Sequence, residues 1–162
     1  MYDPSKFYMK AISPHFKPGD ILFIKNNPPS DDSNWMVITS ICDCEHRELI
    51  VLSKIMAMDS LSRNTNYKDS IRKYKVYYLF YLPQFEDKFP ESFVHYGMLD
   101  SESRTRLEQA SKANNDCELV ISLQDERRRL LQYHLANHFS KGDGVELFAH
   151  EIYSLVKNLE KI

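Results

Sequence analysis

Glycine is scarce in this chain. Four glycines in 162 residues leave little bare backbone to wrap a phosphate, and neither GxGxxG nor GxxxxGK[ST] occurs, so glycine-loop nucleotide folds are excluded. A basic excess is also missing. The formal net charge of −2 rules out a globally basic nucleic-acid binder and leaves room for a local basic patch. The three cysteines, Cys42, Cys44 and Cys117, are odd in number and widely split, and do not make a disulfide framework. No run approaches eighteen apolar residues, so no membrane span is expected. The opening MYDPSKFYMK lacks the apolar stretch of a signal peptide, and a reduced, cytoplasmic compartment is the simplest expectation.

What the chain does have is aromatic residues and charge. Hydrophobic residues at 43% and charged residues at 27% are the composition of an ordinary globule in one domain, and aromatics are high at 12%. Pro18-Gly-Asp20 is a turn that launches a strand at 21–25. Residues 26–34, with two adjacent prolines, are loop chemistry. Strands are predicted at 35–41 and 49–53, paired as a hairpin, then at 74–82 and 92–96. Residues 59–73 read only as polar. After Leu99 the period changes. Helices are predicted over 102–110, capped by Asp100 or Ser101, over 123–139, and over 145–159. The last carries an apolar stripe, Val145, Phe148, Ile152, Leu155, Val156 and Leu159, that packs on the domain or forms a dimer interface. The fold expected is α+β: a small antiparallel SH3-like barrel over about 16–98, followed by a helical part over about 100–162.

Several groups carry candidate chemistry. Cys42 and Cys44, with His134 and His138 one helical turn apart, would complete a tetrahedral two-Cys, two-His set. C-x-C is not the commoner zinc spacing, and HLANH lacks the glutamate of H-E-x-x-H. A polar turn between two strands explains ICDCEHR without metal, so no metal and no cofactor is expected. Arg127, Leu131, His134 and His138 run down one helix face, where Arg127, His134 and His138 would line a groove or sit at the edge of the core. Arg63, Lys68, Arg72, Lys73 and Lys75 are interleaved or followed by tyrosines, Tyr77 among them. Cations that neutralise phosphates beside rings that stack bases suit single-stranded RNA. Ser53-Lys54 is a candidate Ser/Lys pair, whereas Cys117 has no local partner.

The order of these pieces resembles the PemK/MazF-like toxins. The likeness covers roughly residues 16–112. It rests on Pro18-Gly-Asp-Ile-Leu-Phe-Ile24, a loop, Met36-Val-Ile-Thr-Ser40, Ile50-Val-Leu-Ser53 ending in a hydroxyl residue, and Ser92-Phe-Val-His-Tyr96 leading towards a helix. The resemblance implies metal-independent cleavage of single-stranded RNA, in which the substrate's own 2′-hydroxyl attacks the phosphate. Ser53 matches the family's hydroxyl position. The family's loop arginine has no counterpart in Asp31-Asp-Ser-Asn34, which removes a cation from the developing phosphorane charge unless Lys54 or Arg47 replaces it. The expectation is therefore an endoribonuclease with Ser53, Lys54 and Arg47 at its centre, or a degenerate relative that binds RNA, with a protein partner of antitoxin type or a second copy of the chain. The alternative is a non-enzymatic protein-interaction module, such as a phage or bacterial defence-related inhibitor, using the aromatic strand and the C-terminal helices.

Overall fold

In the computed structural model of the chain, the structure describes residues 3–11, 16–26, 29–40, 44, 46–62, 64–112 and 116–139. The helix expected over 145–159, Cys42 and Arg63 lie outside them.

The Pro18-Gly19-Asp20 turn shows how the chain enters the sheet. Gly19 has φ +93°, the left-handed region that favours glycine, and an added Cβ would sit 3.0 Å from the Leu123 side chain. The Asp20 carboxylate accepts from the backbone N–H of Lys17 at 2.9 Å and from Ser122 Oγ at 2.5 Å. Strand β2 (Asp20–Ile24) follows at once. It is flanked by β3 (Ser33–Val37), and β3 pairs with β4 (Leu49–Ala57), so the expected hairpin is present.

Three elements depart from expectation. The polar segment contains helix α1 (Thr65–Arg72), capped by Asn64, whose Oδ1 accepts from Tyr67 N at 3.0 Å. The strand expected from residue 74 starts only at β5 (Leu79–Leu82), because Tyr74 closes α1 with φ +56°. Beyond the long β6 (Ser92–Ser103), helix α2 (Arg104–Lys112) is capped from the bend ahead of β4 rather than by Asp100 or Ser101. The Glu48 carboxylate accepts from Thr105 N and Ser103 Oγ, which holds that carboxyl below the usual range.

The chain then returns to the sheet as β7 (Cys117–Leu123), which the sequence reading did not assign, before helix α3 (Asp125–Phe139). With the short β1 (Tyr8–Met9), the sheet has the order β1-β7-β2-β3-β4-β6-β5, and each adjacent pair of strands is antiparallel. The class is α+β, with seven antiparallel strands among the described residues. The sheet is open, since β1 and β5 end the order, and it continues to residue 123 rather than stopping near 98.

Alternation sorts side chains to the two faces. On one face Ile21, Met36, Ile55, Phe80, Val94 and Tyr96 pack against Leu130, Leu131 and Leu135 of α3. The opposite face carries two separate clusters. Leu22, Val37, Ile50, Leu52 and Cys117 lie under Leu107 of α2. Phe93 and Leu79 lie under Ile71 of α1, with Met58 and Val76 beside them. At the foot of α3, buried Arg128 donates to Pro18 O at 2.8 Å, Ser122 Oγ at 2.8 Å, Leu123 O at 3.0 Å and the Asp125 carboxylate. This ties the turn, β7 and α3 together. Burial still pushes the neighbouring Asp20 carboxyl up.

Candidate functional site

From the rim of the α2 cluster towards the α1 cluster, one row crosses the sheet: Trp35 on β3, packed against the α2 cluster, then Lys54 on β4 and His95 on β6, each directly opposite the next. Directly opposed residues share a face, with Cβ atoms about 5 Å apart. Trp35, Lys54 and His95 are all half-buried. The Tyr78 ring lies 5.7 Å from the His95 ring, and its hydroxyl is 2.7 Å from the Tyr67 hydroxyl of α1. A lysine and an imidazole thus lie between tryptophan and tyrosine rings, where the sheet changes from one helix to the other.

A β-bulge shapes this row. Ser53 opposes Leu99 while Lys54 opposes His95, so Tyr96, Gly97 and Met98 have no counterpart on β4. His95 is held at both ends of the interruption. Ser53 Oγ donates to His95 O at 2.7 Å, and Gly97 N–H donates to His95 Nδ1 at 3.0 Å. A Cβ at residue 97 would meet His95 Cε1 at 2.9 Å, which explains the glycine.

The expected catalytic trio is not brought together. Ser53 is 0% exposed and points to the α3 face with Met36 and Ile55, its proton committed to His95 O. It closes the bulge and is not an accessible nucleophile. Arg47 is exposed beyond the far end of β4, and Leu49 to Ser53 alone spans about 13 Å of strand. Only Lys54 falls in the row. Cys117 is buried, and burial pushes its thiol up to about 11, so it stays protonated.

The basic stretch divides. Arg72 is spent on Glu91, with Nε–Oε1 at 2.7 Å and Nη2–Oε2 at 3.0 Å, and on Asp69 at 2.7 Å. These bonds raise its pKa and lower that of Glu91. Lys68 is half-buried on α1. Lys73, Lys75 and Tyr77 are exposed, whereas the intervening Tyr74 and Val76 are buried, so these three form one outward edge. Tyr77 contacts Tyr78 at 5.1 Å between centroids and stacks on His138 at 5.9 Å and 25°. The aromatic path His95–Tyr78–Tyr77–His138 therefore links the row to this edge.

The groove trio on α3 also separates. His134 is core: its Nδ1 lies 2.9 Å from Tyr96 OH, rings of Tyr74, Phe80 and Tyr96 surround it, and burial pushes its imidazole down to about 4. The Arg127 guanidinium lies 4.4 Å above the Phe7 ring, a cation–π contact. Of the trio only His138 joins the surface path. Cys44 packs in the α2 cluster, whereas His134 lies against Tyr74, Phe80 and Tyr96 of the α3 cluster, so the sheet separates two of the four candidate zinc ligands. Among the described residues no group of three or more His, Cys, Asp or Glu could hold a metal ion.

Sequence reasoning missed Trp35, His95 and Gly97, while Tyr67 and Tyr78 belong to the tyrosines that interleave with or follow the basic stretch. One local signal was present: a glycine within a strand pattern, His95-Tyr-Gly97, marks a bulge. No family model matches the chain, and no curated protein matches it.

Proposed function

We propose that this chain is a single-stranded RNA-binding protein of PemK/MazF-like build that no longer uses the family's hydroxyl-dependent cleavage. The observation that carries the reading is the row Trp35–Lys54–His95 beside Tyr78. It combines what unpaired bases and their backbone require, ring faces for stacking and a cation for phosphate. The exposed edge Lys73, Lys75 and Tyr77 extends it. The passage of β6 into α2 is in keeping with the resemblance, and an SH3-like curvature of β2-β3-β4-β6 belongs to the same proposal. Buried Ser53 favours binding over cutting.

The test is fluorescence anisotropy with a labelled mixed-sequence 12-nucleotide RNA in EDTA, with the same RNA run on a gel afterwards. Wild type binds the single strand in preference to a duplex and leaves it intact. Tyr78→Ala and Tyr77→Ala each weaken binding about tenfold, the worth of one stacked base. Absence of binding at low salt overturns the reading, and cleavage restores the endoribonuclease.

A second reading, a protein-interaction module, is favoured by Met98, Leu99 and Phe139, which are 38%, 45% and 59% exposed. A protein partner and a homodimer belong to it.

A further inference from the structure

We propose that His95 and Lys54 form a two-donor clamp for a single phosphate group, in which the imidazole is a neutral hydrogen-bond donor rather than a base or a cation. The inference rests on the RNA-binding reading for its ligand and on the bulge for its mechanism.

The bulge sets the tautomer. Gly97 N–H donates to His95 Nδ1 at 3.0 Å, so that nitrogen presents its lone pair and the ring proton sits on Nε2. A proton at Nδ1 would place two hydrogens between nitrogens 3.0 Å apart. Ser53 Oγ fixes the backbone at the His95 carbonyl at 2.7 Å, and the ring itself is held by the Gly97 N–H and by the Tyr78 ring packed at 5.7 Å. The charged or titratable groups facing this imidazole are Lys54 from β4 and Tyr78 ahead of β5; the other neighbours are Leu79, directly opposite on β5, and Gly97 from its own strand. Lys54 adds a positive charge on the same face and belongs to none of the ion pairs among the described residues. One fixed N–H and one mobile ammonium, about 5 Å apart at Cβ, suit two oxygens of one phosphate group. The neutral donor fixes position and the ammonium supplies charge.

The two residues therefore leave different signatures in salt. Each ammonium–phosphate contact on a single strand contributes about 0.7 to the slope of log affinity against log salt, and a neutral donor contributes nothing. With the 12-nucleotide RNA at pH 7.5, Lys54→Met loses about tenfold in affinity and about 0.7 of slope. His95→Asn keeps an acceptor for Gly97 N–H but has no atom at Nε2. It loses affinity about tenfold with the slope unchanged. His95→Gln, whose amide nitrogen reaches the Nε2 position, recovers part of the loss. Amide spectra of each variant verify the fold.

Imidazole nitrogen NMR on wild type shows Nδ1 as the bare nitrogen, and sodium phosphate shifts Nε2 saturably. An unchanged affinity in His95→Asn, a slope that falls in that variant, or a bare Nε2 overturns the clamp. If wild type binds no RNA, the RNA reading fails by itself and the phosphate titration decides. A saturable Nε2 shift that vanishes in His95→Asn keeps the clamp, and no shift discards it.

Discussion

Ser53 shows how a residue at a strand end can be drawn into the fold instead of the chemistry. Its hydroxyl satisfies the His95 carbonyl where the bulge interrupts the β4–β6 ladder. Ser53→Ala removes that bond from a site closed to solvent at Ser53. We expect a loss of about 1–2 kcal/mol in urea unfolding, with RNA affinity changed less than threefold once the protein is folded. A large affinity loss at unchanged stability would return Ser53 to the site. His134 gives a pH dependence of definite sign. Burial holds its folded pKa near 4 against an ordinary 6.5, so below pH 6.5 the unfolded chain takes up a proton that the folded chain refuses. Stability from this group is complete above pH 6.5 and falls by about 3 kcal/mol as pH drops to 4. Unfolding midpoints measured from pH 7 to 4 check this, and His134→Phe flattens that part of the profile.

The elements differ in how far the sequence exposed them. Strands β2, β3 and β4 were legible because a Pro-Gly-Asp turn and a proline-rich loop bracket short apolar runs, and α3 because leucines recur at helical spacing. Helix α1 was not, since only Ile71 among Thr65–Arg72 is buried and its start depends on the Asn64 cap. Strand β7 was hidden because Cys117–Leu123 is short and abuts a strong helical pattern. What makes it a strand is the edge of β2, about a hundred residues earlier in the chain, with Ile121 opposite Ile21. Pairing to a distant strand overrode local pattern here. At this scale Gly97→Ala is the diagnostic change. The added Cβ meets His95 Cε1 at 2.9 Å. We expect the His95 imidazole to be displaced and RNA affinity to fall at least as far as in His95→Asn, with amide shifts concentrated over residues 93–99. Shifts spread evenly over the sheet would contradict a local role for the bulge.

At the scale of the whole molecule, one sheet serves two purposes. Its α3 face is a continuous core, and Leu131, 0% exposed there, should cost about 2–5 kcal/mol on truncation to alanine. The opposite face is divided between α1 and α2, and the division leaves Trp35, Lys54 and His95 half-exposed across the middle. That explains why the candidate site was only partly readable. Lys54 was found beside Ser53 as a candidate Ser/Lys pair, and Tyr77 within the basic and aromatic stretch. His95 becomes relevant only when β6 pairs with β4, a contact made across 42 residues at Ser53. The most direct measurement is a map of photo-crosslinks from a 5-bromouridine-substituted single-stranded RNA, read by peptide mass spectrometry. The account predicts adducts on Trp35, Tyr77 and Tyr78, lost on competition with unlabelled single strand. Adducts confined to residues outside this face, or no specific adduct at all, would contradict it.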